Sequence, residues 1–204
     1  MTLRRRALLM TGLAAAVRCP QARAGGQAEE QLADAVRTAL SAAVGGIAPP
    51  RPSFDTMDQR LAYLRWLSAA SERLKRRKVD YEARVAFLET VWYESKRKGL
   101  DPTLVLGLIQ VESGFRKYAI SGVGARGYMQ VMPFWARLIG DGNVDSLFHM
   151  QTNLRFGCVI LRHYLDIERG DQFLALGRYN GSRGRAEYPN LVFGARRQWD
   201  VMSA

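Results

Sequence analysis

Apolar residues recur along this chain at intervals of three and four, and no stretch alternates with period two over more than a few residues. The pattern predicts helices and few strands. Gln27 to Val44 is Ala-rich and amphipathic, and reads as a helix. Gly45-Gly46 and Pro49-Pro50-Arg51-Pro52 set it apart, so residues 25–52 read as an N-terminal helical extension on a semi-rigid linker. Asp55 to Lys78 carries Leu61, Leu64, Trp66 and Leu67 at helical spacing. It ends in Lys75-Arg76-Arg77-Lys78, cations that suit a helix C-terminus. Tyr81 to Lys98 is a second helix, with Val85, Leu88, Val91 and Trp92 on its packing side and Gly99 as its stop. Further helices are expected near Pro133–Ile139, Met150–Ile167, Asp171–Tyr179 and Pro189–Met202. The expectation is an all-α chain with one domain over residues 53–204.

Between these elements lies the stretch from Leu100 to Pro133, where the pattern breaks in an informative way. Asp101 is a natural N-cap, and Pro102 suits the first helical position, where a missing N–H costs nothing. Val105, Leu108 and Ile109 then mark a buried face, and the next member of the stripe is Glu112. A carboxylate there meets both burial and the negative end of the helix dipole, and each raises its pKa. That environment keeps a carboxylic acid protonated and able to donate. A Glu that merely ends the helix beside Ser113-Gly114 and turns to water is the plainer alternative.

The following segment shifts the balance towards chemistry. Ser121 to Gly127 is punctuated by three glycines, a mark of tight turns or close backbone approach. It runs into Tyr128-Met129-Gln130, an aromatic ring, a thioether and an amide, which suit a saccharide cleft. Asn180, after Tyr179 and before Gly181, fits either a helix C-terminus or a cleft.

These residues resemble the soluble lytic transglycosylase family, whose domain resembles goose-type lysozyme. The resemblance rests on Glu112-Ser113-x-Phe115, then Ser121-x-x-Gly124-Ala125-x-Gly127-x-Met129-Gln130-x-Met132-Pro133. Asn153-x-x-x-Gly157 with Tyr164-Leu165, and Tyr179-Asn180-Gly181, follow in the family's order. Five motifs in sequence make chance agreement improbable. The similarity spans residues 81–199. The family usually has Leu at Tyr128, small or hydroxyl residues at Phe134 and Trp135, and Ala-Gly where Gly181-Ser182 stand.

The resemblance implies a lysozyme-like helical catalytic domain that cleaves peptidoglycan glycan strands. Glu112 would be the catalytic acid, then base. Ser113, Ser121, Tyr128, Met129, Gln130, Tyr179, Asn180 and Tyr188 would bind substrate. Within this set, Gln130 would bond an acetamido group, Met129 would pack on a sugar face, Tyr128 would add an aromatic wall, and the Tyr179 hydroxyl would lie against Glu112. Two alternatives share the fold: a goose-lysozyme-type hydrolase, and a non-catalytic protein that binds the cell wall or a secretion apparatus. Envelope machinery is a further possible partner.

Residues 1–24 read as a secretory signal. Arg4-Arg5-Arg6 precede an apolar run from Ala7 to Val17, and Ala22-Arg23-Ala24 forms an A-x-A site. The run falls short of the ~20 residues that span a bilayer, so a periplasmic protein without a transmembrane segment is expected. Removing the signal takes away five arginines and no acids, lowering the formal charge from +11 to +6. It also removes Cys19 and leaves Cys158 unable to form an intramolecular bridge. The remaining basic balance suits the carboxylates of peptidoglycan stem peptides, and no helix-turn-helix, RNP or basic-zipper pattern points to nucleic acid. The two histidines, His149 and His163, lack metal-ligand spacing, so neither a metal nor another cofactor is expected.

Overall fold

The computed structural model describes residues 26–45 and 52–200. The expected export signal, residues 1–24, and most of the proline-rich linker lie outside the described residues. Within them the architecture is all-α, as expected. The helices are α1 (Asp34–Val44), α2 (Met57–Leu74), α3 (Tyr81–Arg97), α4 (Pro102–Glu112), α5 (Pro133–Ile139), α6 (Met150–Ile167), α7 (Gln172–Asn180) and α8 (Glu187–Arg197). A 3-10 turn, Val144–Phe148, precedes α6. Extended pairing among the described residues is limited to two isolated bridges, Ile120 to Arg126 and Arg126 to Val131.

Local chemistry starts these helices where it should. Thr56, Asp80, Asp101 and Asp171 each accept a hydrogen bond from a backbone N–H of the helix they precede. Such a cap contributes about 1 kcal/mol by satisfying one of the orphan donors of the first turn. Gly181 closes α7 in the left-handed region, at φ 73°.

Helix α6 runs through the middle of the domain, touching α1, α3 and α7. Its expected stripe of Leu154, Cys158, Leu161 and Leu165 is buried. Truncating such a leucine to alanine typically costs about 2–5 kcal/mol. Helix α4 lies along α8, and Gly107 sets their spacing: a Cβ there would lie 2.7 Å from the Arg196 backbone nitrogen. This close packing positions α8 over the end of α4 that carries Glu112.

Two expectations need correction. In α2 the buried residues are Tyr63, Trp66, Ala70, Ser71 and Leu74, whereas Leu61 and Leu64 are exposed. Tyr63 and Trp66 join Trp92 and Phe54 in an aromatic cluster, and that larger contact area sets the rotation of the helix. The extension also does not stand apart. Residues 26–33 are non-helical, and α1 packs on α5 and α6, with Leu40 in the core and the Ala43 carbonyl bonded by Arg97.

Candidate active site

The chain brings Glu112 to the end of α4 with 5% of its surface exposed. Tyr188, in the first turn of α8, donates its hydroxyl to Glu112 Oε1. Glu112 Oε2 is buried with no hydrogen-bond partner. Burial drives the carboxyl pKa up to about 8, against the opposing pull of the Tyr188 hydrogen bond. Loss of hydration costs the carboxylate more than one donor returns, so the group is a protonated acid at neutral pH. It can release its proton to a leaving oxygen and take one back afterwards.

Tyr179 lies within reach of the Glu112 charge, which adds to burial in raising its phenol pKa. Its hydroxyl, however, donates to the Met129 carbonyl at 2.8 Å. The bond to Glu112 expected of Tyr179 is therefore made by Tyr188. Tyr179 instead ties α7 to the loop that follows the glycine-rich segment.

That loop is held from several sides. The Met129 N–H donates to Asn153 Oδ1 at 2.8 Å, and Asn153 Nδ2 donates to the carbonyls of Arg126 and Leu147. Four residues along α6, Gly157 leaves room for the Met129 side chain, since a Cβ there would lie 2.3 Å from its sulfur. The Asn-x-x-x-Gly spacing thus has a mechanical meaning: one turn of α6 grips both the backbone and the side chain of Met129. The Ser113 hydroxyl adds a bond to the Tyr128 carbonyl at 2.7 Å. Gln130 sits at φ 48° and donates from Nε2 to the carbonyls of Gly127 and Ala119. A non-glycine residue in that region is strained by about 1–3 kcal/mol, and these bonds hold it there.

Several residues expected to face substrate are thus committed inward. Met129 is fully buried against α6, so its thioether cannot meet a sugar face. The Tyr128 ring packs on Phe87, and its hydroxyl accepts from Lys78 Nζ at 2.8 Å. The Ser121 hydroxyl accepts from the Ala125 N–H within its own turn. Ser113 and Gln130 are bonded to backbone carbonyls, as above. Asn180 is part-buried, donating to Ser182 Oγ at 3.0 Å while its Oδ1 has no partner. The buried polar atoms left without a partner include Glu112 Oε2 and Asn180 Oδ1.

Sequence reasoning included Tyr188 without its pairing to Glu112. It missed the contacts of Gln27 with Met132 and of Lys78 with Tyr128, because both act across gaps of fifty residues or more. Asp141 and Asp145, the acids next along the chain, are accounted for elsewhere: Asp141 accepts from the Asn143 N–H, and Asp145 pairs with Arg126. Among the described residues, no cluster of His, Cys, Asp or Glu is placed to hold a metal ion, and no helix is long and apolar enough to cross a membrane.

The chain is similar in sequence to known transglycosylases. A transglycosylase of the enterobacteria phage PRD1 is 38% identical over 100 residues, covering 49% of this chain and 36% of the phage protein. Membrane-bound lytic murein transglycosylase C of Glaesserella parasuis is 38% identical over 91 residues, covering 41% of this chain and 25% of its own. The matched part is thus a minor share of each relative's length. A solved structure of an inactive mutant of the lytic transglycosylase Slt from Pseudomonas aeruginosa aligns with a TM-score of 0.44 at 24% identity, over 69% of this chain and 27% of that one. The family model of the transglycosylase SLT domain matches residues 89–199, which hold Glu112, the Asn153 grip, Tyr179 and Tyr188. With more than half of its length matched by that model, this chain belongs to the transglycosylase SLT domain family.

Proposed function

We propose that this protein is a peptidoglycan lytic transglycosylase, cleaving the β-1,4 bond between N-acetylmuramic acid and N-acetylglucosamine without water. The observation that carries the reading is the buried carboxyl of Glu112, whose pKa answers to burial and to Tyr188 and to no second acid. Glycosidases of the common kind use two carboxylates, the second as nucleophile or as base for water. With one acid, the second displacement must come from within the substrate.

Glu112 first gives its proton to the glycosidic oxygen as the bond to muramoyl C1 breaks. The N-acetylglucosamine portion leaves as an alcohol. Glu112, now a carboxylate held by Tyr188, takes the proton of the muramoyl C6 hydroxyl. O6 bonds to C1, a 1,6-anhydro ring closes, and the acid is restored. Burial serves both steps, since it keeps the acid protonated before the first and strengthens the base for the second. Peptidoglycan as substrate fits the reading of residues 1–24 as an export signal and a periplasmic site of action. The basic surface suits the acidic stem peptides.

Mass spectrometry of fragments released from purified sacculi tests this reading. The expected products end in 1,6-anhydromuramic acid. Reducing ends would assign the site to a hydrolase of goose-lysozyme type, and no release would leave a cell-wall-binding protein.

A further inference from the structure

The segment before α1 reaches the site through one residue. Gln27 is 4% exposed, whereas Gly26 and the run Ala28-Glu29-Glu30-Gln31 are exposed. Gln27 Oε1 accepts the Met132 N–H at 3.3 Å, 105 residues along the chain. Its carboxamide lies close enough to the Tyr179 phenol to favour the ionised form, yet Nε2 is buried with no hydrogen-bond partner. Next to it, Gly26 lies directly against Asn180 and Gly181. A Cβ on Gly26 would stand 2.4 Å from the Asn180 carbonyl oxygen, and one on Gly181 would stand 1.8 Å from the Gly26 oxygen. Gly181 is where the chain departs from the Ala of the family pattern, and the atoms that crowd it all belong to Gly26. An ion pair between Glu30 and Arg178, 2.7 Å, holds the segment further along.

We propose that residues 26–33 are an autoinhibitory strap whose Gln27 carboxamide occupies the place of a substrate acetamido group beside Tyr179 and Met132. The chemistry matches: a glutamine side chain ends in the same carbonyl acceptor and N–H donor as the N-acetyl group of an amino sugar. The attachment is also built to yield. One hydrogen bond near the long end of the range and one half-exposed ion pair hold little. A glycan strand that satisfies both the Met132 N–H and the orphan Asn180 Oδ1 displaces the strap and gains access to Glu112. The proposal rests on the transglycosylase reading for the identity of the displacing ligand.

The test uses the full chain and tri-N-acetylglucosamine as probe. Gly26→Ala forces the strap away from Asn180, and Gln27→Ala removes the mimic. Both substitutions lie outside the catalytic machinery. Each should bind the trisaccharide at least fivefold more tightly in calorimetry. In the parent chain, the trisaccharide should speed cleavage after Glu29 and Glu30 by glutamyl endopeptidase, because the strap is displaced. Unchanged affinity in both variants, cleavage that the bound sugar does not alter, or no binding to any of the three chains would each overturn the proposal. Sacculus digestion separates the two readings. Tighter sugar binding with intact sacculi in every chain would sink the transglycosylase and keep the strap. Equal digestion and equal sugar affinity in parent and variants would sink the strap alone.

Discussion

Glu94 and Glu112 are both buried in this domain, and they are treated in opposite ways. Glu94, on α3, is fully buried between two cations: Arg155 Nε lies 3.0 Å from one oxygen and Arg97 Nε 3.3 Å from the other. Glu112, on the next helix, is also buried but meets the Tyr188 phenol in place of a cation. A buried charge with a matched cation is a structural element, since its desolvation is offset by the pairing. A buried carboxyl without one stays protonated and ready to exchange its proton. Glu168 reinforces the contrast, because Arg183 and Arg178 hold its pKa down to about 2. What distinguishes the candidate catalytic acid is therefore the company it keeps.

The contrast can be broken most directly at Glu112. Replacing it with Gln keeps the shape and an oxygen for the Tyr188 hydroxyl, but removes the transferable proton. Muropeptide release should fall roughly 10⁴-fold, the upper range for removing an acid–base group, with an unchanged circular dichroism spectrum. Turnover near that of the parent would overturn the one-carboxylate mechanism.

Glu94→Gln should do the reverse. It replaces the carboxylate that faces buried Arg155 with a neutral amide, a loss of about 3–5 kcal/mol, or roughly 10 °C in melting temperature. Turnover per folded molecule, measured well below the transition, should stay within about twofold. A large loss of turnover in folded protein would show that Glu94 reaches the chemistry after all.

The Glu112 carboxyl should also show in the pH dependence of stability. The Glu112 carboxyl ionises near 4.5 when exposed and near 8 in the folded state. Across that window the folded state holds a proton that the unfolded chain gives up. Stability should therefore decline as pH rises from about 4.5 to about 8 and level off above, by a total on the order of a few kcal/mol. Denaturant titrations of the parent and of Glu112→Gln at pH 6 and pH 9 check this. The variant should lose less stability than the parent between the two, and parallel behaviour would contradict the raised pKa.

The smallest effect sharpens the role of the phenol. Tyr188 lowers the Glu112 pKa by donating to the carboxylate. Tyr188→Phe should therefore move the alkaline limb of the kcat profile upward, with about a tenfold loss in kcat as the carboxylate loses its donor in the second step. Tyr179→Phe should leave that limb nearly in place, since its hydroxyl serves the Met129 carbonyl. A limb that moved with Tyr179 and not with Tyr188 would reverse the assignment.

The sequence by itself determined where the helices form, and the starts of those opened by a capping side chain such as Asp101. Asp101 before Pro102, and the three-and-four spacing through Val105, Leu108 and Ile109, act within single turns, and α4 forms where they place it with Glu112 on its buried side. The stripe of α6 was legible for the same reason. Packing between elements was not. Whether α2 turned Leu61 and Leu64 or Tyr63 and Trp66 inward depended on the aromatic cluster it joined. Whether Met129 met a sugar or Gly157, and whether Tyr179 or Tyr188 met Glu112, depended on how closely α6 and α8 approach their neighbours. Tyr188 lies 76 residues from Glu112 and Gln27 lies 105 from Met132. Helical periodicity says which face of a segment is apolar. It carries no information about ångström-scale distances between segments, which the simultaneous packing of all the side chains decides.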